Sequence, residues 1–374
     1  MTRLNSVATA FAAAALLASS FVSADHHGGA HTSSITKIDS NEFGIDAKEI
    51  ADINAQMQAA VDGGFIAGNI LLVGNSEGVG VLETAGTQGP GQSTPMDEQT
   101  FFRIYSMTKP IVSVATMTLV EDGLLAISDP VSKYIPEFAN MTVINEETGA
   151  ITPAANEMTV QDLLTHESGL IYGIFDPESE LGKMYFQAGS LRADITALTL
   201  AQNLAALPLR FEPGTKWNYS RSTDVLGAVI EVAAGKPLDA LLNERIFAPL
   251  GMDETTFFVD VSKAARIAHP IHGEMADPTV VTPMLSGGGG LHSTTEDYVR
   301  FASMLLGGGE YNGTRILEAD TLTAMQQKFI GDSVDRSAYF YGSRGDWGLG
   351  FHLQPIPGAD NEGPFNFGWQ GVGG

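Results

Sequence analysis

The run MTKPIVSVATMTLVEDGLL, from Met107 to Leu125, constrains this chain more than any other segment. It reads as an apolar helix. Pro110 has no N–H, so it belongs within the first turn, where donors are unpaired anyway. The helix therefore begins near Ser106. That puts Ser106 where the helix dipole favours developing negative charge, with Lys109, three residues on, on the same face. Ser106-Met107-Thr108-Lys109 spells S-x-x-K, the pattern of a serine–lysine acyl enzyme. The letters alone are common: Ser34-Ile35-Thr36-Lys37 repeats them in a polar stretch with no helix behind it.

A second serine competes for the same chemistry. Gly74-Asn75-Ser76-Glu77-Gly78 spells G-x-S-x-G, the letters of a nucleophile elbow. An elbow needs a strand, a sharp turn and then a helix. Ser76 is instead followed by the apolar run Gly78-Val79-Gly80-Val81-Leu82, and NILLVG precedes it. That pattern is a β-hairpin with Ser76 at its tip, where Asn, Ser and Gly serve as turn residues.

The rest of the chain suggests a mixed architecture of α+β type. Ile50, Ile53, Met57 and Val61 recur at helical spacing before Gly63-Gly64. Residues 128 to about 284 are mostly helical and loop-rich. WGLGFHLQ and FNFGWQGVGG near the end read as strands. Strands at both ends enclose a helical middle, so the expected fold is an antiparallel sheet flanked by helices (about 47–127 and 285–374) with a helical domain inserted (about 128–284). Residues 1–24 read as a signal peptide: Arg3, an Ala/Leu-rich run, then Val22-Ser23-Ala24 as a cleavage site. Residues 25–46 read as a linker. The expected location is periplasmic or secreted, with no further apolar span.

Net charge is −24, from 44 acidic and 20 basic residues. Such a surface repels nucleic acid and anionic membrane. The chain has no cysteine, so no disulfide supports it outside the cell. No H-E-x-x-H or comparable spacing points to a metal, and no cofactor is expected. The glycine run Gly287–Gly290 lacks the Gly-Lys-Ser/Thr of a phosphate loop and suits close backbone approach. His166 and His292 read as structural.

The blocks FFRIYSMTKPIVSVA, LVEDGLLAISDPVSKYIPEF, DLLTHESGL, FEPGTKWNYSRSTDVLGAVIE, IFAPLGM and GGGGLHSTTEDYVRFASMLL together resemble the serine β-lactamase and penicillin-binding-protein family. The nearest likeness is to its class C-like esterase branch, the family VIII carboxylesterases. The resemblance runs from about Lys48 to Gly374. It implies a β-lactamase/D,D-peptidase-like fold and Ser106 as the nucleophile. It also implies Tyr219, in Tyr219-Ser220-Arg221, as the partner of Lys109 in proton transfer. A nearby cation favours phenolate, so such a pair can take and return the serine proton. The family's third motif matches Trp369-Gln370-Gly371. The oxyanion hole implied is the backbone N–H of Ser106 with that of Val372.

Two departures from the family pattern bear on substrate. Arg221 stands where an asparagine is usual, and Trp369 where a lysine is usual. An indole cannot replace an ammonium opposite a carboxylate, but it forms an apolar wall. With Arg221, Trp369, Gln370 and Gly371 lining the substrate, the pair favours carboxylic esters over β-lactams. A β-lactamase or D,D-peptidase of the same fold remains the alternative, and a weakly catalytic peptidoglycan- or acyl-binding protein the second. The family fold continues beyond its third motif with strands and a helix, so a chain ending at Gly374 reads as truncated at its C-terminus.

Overall fold

The computed structural model describes residues 35–273, 275–339, 345–356 and 365–372. The proposed signal peptide lies outside them. Helix α1 (Ala47–Asp62) starts on a capping box between Asp46 and Glu49 and packs on the first hairpin. That hairpin joins β1 (Gly68–Gly74) to β2 (Val79–Gly86) in antiparallel register, Leu72 opposite Leu82. The Asn75 side chain accepts from the N–H groups of Glu77 and Gly78 at 2.8 and 3.1 Å. Ser76 is therefore an exposed turn residue with a strand behind it and a strand ahead.

Residues 35–46, expected as linker, are partly built into the fold. Lys37 pairs with Val79 in parallel, Val79 N–H donates to Thr36 O, and a 3-10 turn follows at Ser40–Phe43. The segment is polar in its side chains, but its backbone extends the hairpin. Side-chain periodicity carries no record of that pairing.

Helix α2 (Thr108–Glu121) forms the centre of the molecule, with every residue from Thr108 to Leu119 buried. An all-round apolar helix must be enclosed on all sides. Strand β3 (Phe102–Arg103), leading into it, pairs with β4 (His292–Ser293), Phe102 opposite Ser293. The glycine run thus ends beside the start of α2. In the middle segment, α3 (Val160–Thr165), α4 (Glu180–Gln187), α5 (Ala197–Ala205) and α6 (Ser222–Ala234) form a helical layer, with α6 packed on α2, α3 and α5. The main core spans both parts, from Ile111 and Leu119 on α2 to Val225 and Val229 on α6 and Phe351 beyond.

The C-terminal strands are shorter than expected. WGLGFHLQ is broken into β5 (Asp346–Trp347) and β6 (His352–Pro355); β6 is the centre of a three-stranded antiparallel sheet, with β5 on one side and β7 (Phe365–Gly368) on the other. The break is at Gly350, whose φ is +86°, and a Cβ there would lie 2.1 Å from Ser113 Oγ on α2. Close approach to the buried helix, not strand propensity, decides the backbone here. β7 ends at Gly368, so Trp369-Gln370-Gly371 follows the strand rather than lying on it.

Candidate active site

Ser106 sits in a 3-10 turn, Tyr105–Met107, that feeds directly into α2. Tyr105 has φ +43°, a left-handed conformation that a bulky residue rarely adopts. It turns the chain sharply from β3 into the helix and leaves Ser106 at the corner, partly exposed. Such strain persists only where the surroundings hold it, and it clusters at functional sites. Here the surroundings are close: Ile104 N–H donates to Leu291 O, Leu291 N–H to Thr108 Oγ1, and Tyr298 OH to Met107 O.

Three other side chains converge on this corner. Tyr219 OH donates to Ser106 Oγ at 2.6 Å, and Lys109 Nζ lies 3.3 Å from the same oxygen. Lys109 Nζ also donates to Gly288 O at 2.6 Å and to Tyr172 OH at 3.0 Å. Its three donor positions are thus matched by three acceptors. When it loses a proton, two N–H bonds can stay on Gly288 and Tyr172 while the lone pair faces Ser106. Burial pulls Lys109 down to about 7; the Asp224 charge opposes this and the Arg221 charge adds to it. Burial also holds the Tyr172 hydroxyl well above its ordinary value, so it is a neutral partner.

The Tyr219 ring is fixed by aromatic neighbours. His166 lies 4.9 Å away, Tyr172 5.2 Å and Trp369 5.6 Å between ring centres, with Trp217 stacked at 6.5 Å. His166 caps α3 with φ +62° and is buried, its Nδ1 3.3 Å from Ser220 Oγ. Burial, with the Lys109 charge, keeps it well below its usual value and therefore neutral. Asn218 N–H donates to His166 O at 3.0 Å, which ties the tyrosine's loop to α3.

Of the third-motif residues, Trp369 is brought against Tyr219 and edge-on to Trp347 at 4.7 Å. Its Nε1 is buried and has no hydrogen-bond partner among the described residues. Gly371 lies against the segment that leads into Ser106: a Cβ there would be 2.7 Å from Ile104 O. Gln370 and Val372 are exposed at the rim. Arg221 is not turned toward a substrate. Its guanidinium is 3.1 Å from Asp224, donates to Ser190 O, and lies 4.8 Å over the Tyr172 ring. The cation is engaged inside the protein because an adjacent buried carboxylate demands it.

Tyr172 and Asp224 are not among the residues that the sequence singles out. Tyr172 lies between Gly169 and Gly173, both at positive φ, which was a turn signal near DLLTHESGL. Gly288 belongs to the glycine run whose composition suits close backbone approach, and the structure places it flat against α6; Asp224 carries no local signal. The histidine and carboxylate groups of the described residues form no cluster able to hold a metal ion.

A family model described as Beta-lactamase matches residues 53–374. Protein Rv1367c of Mycobacterium tuberculosis is 33% identical over 312 residues, which cover 80% of this chain and 77% of that one. Esterase EstB of Burkholderia gladioli is 33% identical over 246 residues, covering 64% of this chain and 59% of its own. The solved structure of EstCE1, described as a hydrolase with promiscuous acyltransferase activity, superposes with a TM-score of 0.70 at 25% identity. It covers 87% of this chain and 88% of its own.

Proposed function

The chain belongs to the Beta-lactamase family, and from that premise we propose a serine hydrolase that cleaves carboxylic esters through an acyl-enzyme on Ser106. The observation that carries the proposal is the convergence on one oxygen: Ser106 Oγ within 2.6 Å of Tyr219 OH and 3.3 Å of Lys109 Nζ, with Lys109 pulled to about 7. The relative described as an esterase and the neighbour described as a hydrolase support the reaction class.

In the first half-reaction Ser106 Oγ attacks the ester carbonyl, and its proton passes to the Lys109–Tyr219 pair. The carbon–oxygen bond to the alcohol then breaks, and the alcohol leaves with that proton. In the second half, water attacks the acyl group, gives a proton to the pair, and releases the carboxylic acid as Ser106 regains its hydrogen. The start of α2 favours the negative charge that builds on the carbonyl oxygen. The backbone N–H groups of Ser106 and Val372 are the proposed donors to that oxygen.

Esters are favoured over β-lactams because the wall at Trp369 is aromatic and the charge of Arg221 is spent on Asp224. Neither is available to a substrate carboxylate. Parallel turnover of p-nitrophenyl butyrate and a chromogenic cephalosporin tests this. Faster ester hydrolysis, absent in Ser106→Ala, is expected; preferential cephalosporin cleavage would overturn the ester reading and favour the β-lactamase alternative. Export is a further part of the proposal. N-terminal sequencing of the protein from its native host should find Asp25 first, and an intact Met1 would contradict it.

A further inference from the structure

Lys109 is held by acceptors, and one of them is itself held by a carboxylate. Asp224 is the third residue of α6, and only 1% of it is exposed. Its Oδ1 accepts from Ser286 Oγ at 2.5 Å and from Gly288 N–H at 3.0 Å. Its Oδ2 takes the Arg221 guanidinium at 3.1 Å. Gly288 then turns its carbonyl to Lys109 Nζ at 2.6 Å. A Cβ on Gly288 would lie 2.7 Å from Asp224 Oδ2, and one on Gly287 2.5 Å from Thr223 O. The glycine run is therefore flat against the first turn of α6, and the carboxylate reaches its backbone for that reason.

We propose that Asp224 is a positioning residue of this site: its carboxylate fixes Gly288 so that the glycine carbonyl holds Lys109, and its charge sets the pH at which Lys109 becomes a base. The inference rests on the reading of Ser106 and Lys109 as the reacting pair. A buried carboxylate is retained only when paired and hydrogen-bonded, and Asp224 has all its bonds directed at this loop and at Arg221. Burial pushes its carboxyl up, but Arg221, Ser286 and Lys109 together leave it below its ordinary value, so it stays charged.

The ionisable groups facing Lys109 are Asp224 from α6 and Arg221 at its N-cap, Tyr219 from the preceding loop, Tyr172 and His166 from the α3 side. His166 is neutral, and Tyr172 is a neutral phenol. The balance at Lys109 is therefore between Asp224, which favours its protonated form, and Arg221 with burial, which oppose it. Lysine acts as a base only when deprotonated, so the rate rises with pH through its pKa. Removing the negative charge lowers that pKa and moves the acidic limb of the rate profile to lower pH. A purely structural role would lower the rate at every pH and leave the limb where it is.

The test follows fluorophosphonate labelling and p-nitrophenyl butyrate turnover from roughly pH 5 to pH 9, a window that brackets the expected titration. In Asp224→Asn the acidic limb of kcat/KM should fall by about one pH unit or more, while Asp224→Glu keeps it near the original pH with a reduced plateau. If Asp224→Asn does not fold, the same comparison is made where no guanidinium is left unpaired. Arg221→Gln should then show a higher limb than Arg221→Gln with Asp224→Asn. Equal limbs in either background overturn the role of Asp224. Ser106→Ala runs alongside: labelling that survives it strikes the underlying assignment instead, whereas unmoved limbs with labelling confined to Ser106 strike only this inference.

Discussion

The two walls of the site are built in opposite ways. On the α2–α6 side, Lys109, Asp224 and Gly288 are buried and Tyr172 half-buried, and hydrogen bonds of 2.6–3.0 Å join them. On the C-terminal side, Trp369 is held by ring contacts, and Gln370 and Val372 face solvent. On the proposed reading, proton handling demands the fixed distances and controlled dielectric that a buried wall supplies, whereas recognition of an apolar group demands only the shape and surface that a rim supplies.

The strongest way to break that comparison is at the serines. Ser106→Ala should lower kcat by roughly 10⁴-fold or more, while Ser76→Ala at the hairpin tip leaves it within about twofold. Retained turnover in the first, or its loss in the second, would place the chemistry elsewhere. Next, Lys109→Met and Tyr219→Phe should each cost about 10²–10⁴ in kcat, and the double variant little more than the worse single. Additive losses would mean that the two do not share one proton path.

The rim should respond differently. Trp369→Ala is expected to raise KM for aryl esters by about tenfold with a small change in kcat, as lost uniform binding does. Trp369→Lys should shift preference toward the cephalosporin by placing an ammonium where the indole stands. A kcat collapse in Trp369→Ala would show that the rim is part of the locked wall after all.

The smallest effect is on stability. Glu167, beside His166, is buried, and burial pushes its carboxyl up to about 7, Asp162 adding to this and Arg336 opposing it. Its folded value is raised, so the stability it contributes is full at low pH and is lost as pH rises from the ordinary carboxylate range through about 7. Glu167→Gln should therefore unfold at a higher temperature than the parent near pH 8, by the equivalent of about 1–3 kcal/mol. The gain should shrink toward pH 4.5, the unfolded value. A gain that does not vary with pH would remove ionisation as its cause.

What could be read in advance follows the same division. Ser106 and Lys109 stand in one local pattern, and Pro110 fixes where their helix starts, so neighbouring residues suffice to single them out. Ser76 is excluded just as locally, by the strand that follows it. The latch at Asp224 joins α6 to a glycine 64 positions away, and nothing near either residue announces the other. Arg221 illustrates the cost: a cation beside the motif tyrosine reads as facing substrate until the carboxylate beneath it is seen. Residues 35–46 and Gly350 were missed for a related reason. A backbone pairing and a close approach to Ser113 decide their conformation, and neither leaves a side-chain period.

The most direct test of the account is where a covalent adduct forms. The protein should be treated with a fluorophosphonate ester and mapped by peptide mass spectrometry at pH values on both sides of the expected Lys109 titration. The account predicts a single adduct on the peptide carrying Ser106, formed faster at the higher pH. An adduct on the Ser76 peptide, or none on Ser106 at either pH, would contradict it.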